Sequence, residues 1–326
     1  MTVDKLSYTA AGLFPWKILK QPALLASVKS QRMIQPVHAQ FSPTNRCNRN
    51  CPMCSCSERD KKQEMSLGDA KKIIDGLQRY GCKAVTITGG GEPLLHPQFS
   101  DIVKHFIHRG IKIGLVTNGM LLHTIPAEVI RQITWCRISN DDSRAMTVEY
   151  AGTLDQAIKR ASSVDWAFSH VASTEPNFEE IRRVVGFANE HDFTHVRLVS
   201  DLFAVESVEL IEVRGFLRAS QVSDDLVIYQ GRKAYERGGL CFIGYLKPFI
   251  GTDCNIYACC GAQYALDPPS RDLPEELCLG SALELDKIYG RESKPLDGSI
   301  CKRCYYGSYN EALGNMLKTL QHGEFV

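Results

Sequence analysis

The sequence predicts an α/β chain, a partial (β/α)6 TIM-like barrel followed by a small, loop-rich, cysteine-rich C-terminal domain. Three observations lead to that class. From residue 37 to about 230, short β-rich runs alternate with amphipathic helical stretches, which favours a parallel sheet with crossover helices. Six such units are too few for a closed eight-stranded barrel, so the expected barrel is open. After Tyr229, Gly, Pro and Cys become frequent and helical periodicity stops until residues 310–322, a composition that needs a metal to hold it together.

The expected strands are residues 37–42, 84–88, 112–116, 135–139, 166–172 and 195–199. Between them, 67–80 reads as a helix because Ile73, Ile74 and Leu77 share a face, and Ser66 with Asp69 can form its capping box. Residues 97–108 and 178–191 read similarly. The expected organisation is an N-terminal extension over 1–36, the barrel over 37–235 and the cysteine-rich domain over 236–326.

The 326 residues suffice for one large domain and an appendage, and 44% hydrophobic content allows a substantial core. Lys plus Arg number 38 against 37 Asp plus Glu, so no global field favours nucleic acid, membranes or acidic partners. Arg59-Asp60-Lys61-Lys62 is mixed in sign and reads as a solvated loop. The apolar Leu13-Phe14-Pro15-Trp16 is broken by Lys17, Lys20 and Pro22 before a signal sequence can develop, and no apolar run approaches the ~20 residues that span a bilayer. A cytoplasmic protein is expected. In that compartment its 13 cysteines point to metal binding and not to disulfides. They fall into an early group (Cys47, Cys51, Cys54, Cys56) and a late one (Cys241, Cys254, Cys259, Cys260, Cys278, Cys301, Cys304), with Cys82 and Cys136 between them as ordinary buried thiols.

Cys47-Asn-Arg-Asn-Cys51-Pro-Met-Cys54 follows directly on the first strand. Three thiolates at this spacing can wrap an iron–sulfur cluster and leave one iron free for a further ligand. The plainer reading is a zinc loop completed by Cys56. After the second strand comes Thr86-Ile-Thr-Gly-Gly-Gly-Glu-Pro93, where glycines allow close backbone approach and a carboxylate can pair with an ammonium.

Together, in this order, the two motifs resemble those of the radical S-adenosylmethionine (SAM) superfamily over roughly residues 37–205. The resemblance implies that Cys47, Cys51 and Cys54 hold a 4Fe–4S cluster and that Gly90, Gly91 and Glu92 contact the methionine amino group of SAM. Thr117-Asn118-Gly119 and Ser139-Asn-Asp141 end the third and fourth strands, where family strand ends face SAM and substrate, so Asn118 and Ser139 are further expected contacts. Met53 stands where the family usually has an aromatic residue beside SAM, and methionine is adaptable enough to fill that space.

The late cysteines are similar to the auxiliary-cluster domains, called twitch or SPASM, of some radical SAM enzymes. By that resemblance Cys241, Cys259, Cys301 and Cys304 bind a second 4Fe–4S cluster, with Cys260 a neighbour that competes with Cys259 for the role and Cys278 a lesser candidate. Cys254 sits where glycine is usual. A structural zinc site with the same thiolates is the alternative. Tyr305, Tyr306 and Asn310 are expected to pack around this centre.

The resemblance implies reductive cleavage of SAM to a 5′-deoxyadenosyl radical, fed by an electron donor such as flavodoxin or ferredoxin, and removal of a hydrogen atom from substrate. A small polar substrate (sugar, aminocyclitol or nucleoside) undergoing oxidation or epimerisation is the first expectation. For epimerisation Cys254 is the candidate hydrogen donor. Rearrangement of a modified nucleobase or amino-acid-derived group is an alternative. So is a peptide-modifying maturase needing a separate leader-binding partner, since only 46 residues precede Cys47. A non-enzymatic zinc-binding module is the last. At predicted strand ends His170, Ser173, Arg197, Asp201, Tyr229, Gln230 and Arg232 are candidates to meet substrate.

Overall fold

The computed structural model describes residues 36–201, 210–230, 239–265, 270–289, 295–302 and 306–316, with isolated positions at 22, 26, 30, 203, 304 and 318. Seven parallel strands follow one another in sequence order: β1 (His38–Phe41), β2 (Ala84–Ile87), β3 (Lys112–Thr117), β4 (Trp135–Asp141), β5 (Asp165–Ala172), β6 (His195–Ser200) and β7 (Val227–Gln230). A helix follows each of the first six: α1 (Leu67–Arg79), α2 (Phe99–His108), α3 (Ala127–Ile130), α4 (Val148–Arg160), α5 (Phe178–Glu190) and α6 (Leu210–Ala219). The six strand–helix units expected from the alternation are present, and β7 adds a seventh strand that the sequence reading did not separate.

The start of α1 shows how local chemistry sets these boundaries. The Ser66 hydroxyl accepts a hydrogen bond from the Asp69 amide at 3.0 Å and donates to the Asp69 carboxylate at 2.7 Å, while Ile73, Ile74 and Leu77 are fully buried.

Because side chains alternate along a strand, register decides which face each residue takes. Ala39, Phe41, Val85, Ile87, Leu115, Ile138, Phe168 and Leu198 form the outer face and pack beneath the helices. The partners on the inner, concave face are more polar: Gln40 with Thr86, Arg137 with Ala167, Ser139 with Ser169, and Ser169 with Arg197.

The cysteine-rich segment is joined to this sheet. Its strands are β8 (Leu240–Cys241), β9 (Phe249–Ile250), β10 (Asn255–Tyr257), β11 (Cys278–Ser281) and β12 (Leu296–Asp297). β9 pairs in parallel with β1, and β10 and β11 continue antiparallel, giving the order β11-β10-β9-β1-β2-β3-β4-β5-β6-β7. β8 and β12 form a separate antiparallel ribbon. A second small core of Phe249, Tyr257, Ala262, Ala265 and Leu277 lies in this region. The last helix, α7, spans Gly307–Met316, and the remainder of the helix expected to 322 falls, apart from 318, outside the described residues. The expected extension 1–36 lies almost wholly outside them, as does the boundary at 235. Among the described residues no helix is long and apolar enough to cross a membrane.

Candidate functional site

The loop carrying Cys47, Cys51 and Cys54 leaves the C-terminal end of β1 and is clamped by the glycine-rich loop that leaves β2. The Gly90 amide donates to Ser42 Oγ at 3.0 Å, the Gly91 amide to the Thr44 carbonyl at 3.1 Å, and the Glu92 amide to the Arg46 carbonyl at 2.7 Å. A side chain on Gly91 would collide with the Arg46 carbonyl, and one on Gly90 with the Asn45 side chain. These glycines are therefore required by backbone contact between the two motifs, immediately before Cys47.

Glu92 is 2% exposed, and both of its carboxylate oxygens are used within the chain. Oε1 accepts from Thr117 Oγ1 at 2.7 Å and from the Leu94 amide at 3.1 Å, and Oε2 accepts from the Asn118 amide at 2.7 Å. Burial is the largest influence and raises its pKa, against the lowering effect of these donors. The carboxylate expected to pair with an ammonium thus braces the β2 loop against the end of β3. Glu92→Leu would leave three buried donors unpaired, at about 1–3 kcal/mol each, and should lower stability by about 3 kcal/mol or more. An unchanged denaturant midpoint would show that the brace does not matter.

Two further ties fix the cysteine loop. Arg49 lies between Cys47 and Cys51 and pairs with Asp141 at the end of β4, with Nη1 to Oδ2 at 3.0 Å and Nη2 to Oδ1 at 3.3 Å. Asn118 Nδ2 donates to Asn48 Oδ1 at 2.7 Å, and Asn118 Oδ1 accepts from the Met120 amide at 3.0 Å. Arg144 lies over the Tyr150 ring at 3.5 Å and donates to the Asn118 carbonyl and, at 3.4 Å, to the Ser139 carbonyl. Met53 is partly buried within the loop itself. Sequence reasoning gave no role to Arg49 or Arg144, although a charged residue inside the cysteine motif was a visible signal.

The three thiols differ. Burial, then Asp141, pushes Cys51 up to about 12, and burial raises Cys47. A hydrogen bond from Cys56 brings Cys54 down to about 6. Cys47 and Cys51 therefore ionise readily only against a bound positive centre. Cys56 is buried with its sulfur 2.9 Å from Gln263 Oε1, so Gln263 and Cys54 compete for its single proton. Among the described residues no three Cys, His, Asp or Glu side chains converge closely enough to share a single ion. Three sulfurs on one loop supply three of the four ligands of an iron–sulfur cube.

Cys241, Cys259, Cys301 and Cys304 line one cleft, with an empty volume of about 400 Å³, together with Tyr306 and Asn310. They reach it from β8, from the turn after β10, and from the segment between β12 and α7. The Asn310 Oδ1 accepts from the Phe242 amide at 2.8 Å, which holds α7 against β8. Burial and then mutual repulsion raise Cys259, and burial followed by Cys241 and Cys304 pushes Cys301 up to about 12. Four sulfurs lining one cleft supply the donor set of a four-cysteine cluster.

Cys260 is not a lining residue of that cleft. Its sulfur contacts Tyr306 Oη at 3.7 Å and Tyr264 Oη at 3.8 Å. Cys278 does not line it either. Cys254 also lies apart, with Asp69 of α1 and Asp253 as its charged neighbours, and its φ of 60° explains why glycine suits that position. Cys82 and Cys136 are buried, as expected of ordinary thiols.

Of the residues expected to meet substrate, the fully buried His170 donates from Nε2 to Asp142 Oδ1 at 2.7 Å, and Ser173 Oγ donates to Asp142 Oδ2 at 2.9 Å. His170 pairs with Leu198 in register and so takes the outer face, not the inner one. Tyr229 also pairs with Leu198 and donates to Asp224 at 3.0 Å. Asp201 Oδ1 accepts from the Phe203 amide at 2.8 Å. Arg197 and Gln230 take the inner face. Arg232 and Tyr305 lie outside the described residues.

Residues 41–139, which hold both motifs and the ends of β3 and β4, match the Radical SAM superfamily. That segment, about a third of the chain, is thus similar to the radical SAM superfamily, whose members use a 4Fe–4S cluster and SAM. Over 117 residues it is 31% identical to the S-adenosylmethionine-dependent nucleotide dehydratase of Selenomonas ruminantium, covering 35% of this chain and 42% of that protein. Over 157 residues it is 29% identical to the AdoMet-dependent heme synthase of Methanosarcina barkeri, covering 44% of each. The chain thus spans less than half the length of these two curated relatives. The crystal structure of Streptococcus suis SuiB superposes with a TM-score of 0.60 at 15% identity, over 98% of this chain and 85% of that one, a likeness of fold.

Proposed function

We propose that Cys47, Cys51 and Cys54 hold the SAM-binding 4Fe–4S cluster, and that Cys241, Cys259, Cys301 and Cys304 hold a second one. Bound there, the first cluster and SAM supply a 5′-deoxyadenosyl radical that removes a hydrogen atom from substrate, given one electron from a donor such as flavodoxin or ferredoxin. The Gly90–Gly91 backbone, held by the Glu92 brace, receives the methionine end of SAM, with Met53, Asn118 and Ser139 beside it. The barrel over 37–235 seats the substrate, and the segment from 236 carries the second centre.

The substrate is a small polar molecule seated on the inner face, and the reaction is its oxidation. The observation that carries this reading is the composition of that face, where Thr86, Ser139, Ser169, Arg197 and Gln230 replace the apolar side chains of the outer one. A relative that acts on a nucleotide supports a substrate of this kind. Epimerisation requires a thiol to return a hydrogen atom; Cys254 lies beside α1, which leaves Cys260, a neighbour of Arg137 and Lys247, as the candidate for that role. A second cluster supplies an electron acceptor, which oxidation requires.

The test is anaerobic incubation of the reconstituted protein with SAM and dithionite. The expected result is 5′-deoxyadenosine and methionine in about equal amounts. Protein that holds full iron and sulfide yet produces neither would end this reading.

A further inference from the structure

Three cations converge on the inner face. Register places Arg137 of β4 beside Ala167, and Arg197 of β6 beside Ser169. Lys247 belongs to the stretch leading into β9, where the Leu246 and Pro248 carbonyls accept from His38 and Gln40. Since Phe249 pairs with Gln40, alternation gives Lys247 the same face. Arg137 and Arg197 repel each other, and Lys247 feels the Cys260 sulfur first and then both guanidinium groups, with Cys260 a neighbour of Arg137 as well. His195, one pair nearer the start of β6, is pushed down to about 4 by burial and then by these two guanidinium groups.

Among the described residues neither Arg137 nor Lys247 takes part in an ion pair. Arg137 Nε is shut off from water without a hydrogen-bond partner, and its guanidinium lies 5.5 Å from the Trp135 ring centre. Lys247 Nζ lies 5.9 Å from the Tyr306 ring centre. Arg197 donates to Ser169 Oγ at 3.0 Å from Nη2. Gln230 Oε1, on the same face, is also buried without a partner. Like charges gathered in a partly buried pocket are costly unless an anion joins them.

We infer that this pocket receives an anionic group of the substrate, a phosphate or a carboxylate, bound by Arg137, Arg197 and Lys247. The inference rests on the proposed reading of the inner face as the substrate seat. Arg137 and Arg197 stand toward the N-terminal ends of their strands, whereas the cysteine loop leaves the C-terminal end of β1. Anchored this way, the substrate turns the end remote from its anion toward SAM.

Oxygen-free, cluster-loaded protein is titrated with inorganic phosphate and, separately, with acetate, following the melting temperature. One anion or both should raise it saturably, and which one does so identifies the group. Arg137→Gln and Lys247→Gln should each weaken that binding at least ~10-fold and, without anion, melt no lower than the parent. Absence of any saturable rise in the parent overturns the inference. So does a rise that both variants retain, including one accompanied by a shifted reduction potential of the second cluster, because the cations would then serve that cluster. Variants that melt lower or fail to fold also overturn it, since the cations would be paired within the protein. 5′-Deoxyadenosine formation by the parent separately reports the radical chemistry, so either idea can fail without the other.

Discussion

Cys51→Ala is expected to abolish SAM cleavage, with 5′-deoxyadenosine falling at least ~10⁴-fold, toward the uncatalysed background. Iron should drop by about four atoms per chain, the content of one cube. The loop itself should persist, because Arg49 still reaches Asp141 and the Gly91 amide still reaches Thr44. Cys47→Ala and Cys54→Ala should behave alike. Cys56→Ala is the informative contrast: its buried thiol lies against Gln263 and should be dispensable to the cluster. If iron and cleavage survive in Cys51→Ala, or if Cys56→Ala loses metal as completely as the other three, the three-sulfur assignment is wrong.

The second large effect is expected from Cys301→Ser with Cys304→Ser. Although Ile250, Ile256 and Leu285 belong to the main sheet and core, the β8–β12 ribbon has little else to hold it, its strands pairing over two residues each. Where a ladder is this short, metal binding carries much of the folding free energy. The double variant should lose about half of its iron and become sensitive to protease between residues 260 and 300, while the 37–230 region stays resistant. Digestion indistinguishable from that of the parent, with iron intact, would remove the second cluster from the account.

What the sequence disclosed was what short spacing determines. Three cysteines within eight positions and a glycine run ending in Glu92 are local patterns, and both stand where strand–helix alternation puts them. Cys259 could not be separated from Cys260 by spacing, because the choice is made by which sulfur turns into the cleft. The bracing of Glu92 by Thr117 and Asn118 was not legible, since those donors come from the next strand. Arg137 and Lys247 were missed although a charge within Trp135-Cys136-Arg137-Ile138 was a visible signal. Their meeting depends on register across β4 to β6 and on β9 lying beside β1, which a one-dimensional pattern does not contain. β7 was not named among the expected strands, although Tyr229 and Gln230 were placed at a strand end.

The parallel pairing of β9 with β1 has a consequence for synthesis. Phe41 emerges from the ribosome early, but its neighbour Ile250 follows some two hundred residues later. Until then the chain carries a finished strand with one margin open, and the loop that leaves that strand contains three exposed sulfurs in an oxygen-sensitive state. Assembly therefore runs against the direction of translation: the first strand made is among the last to be enclosed.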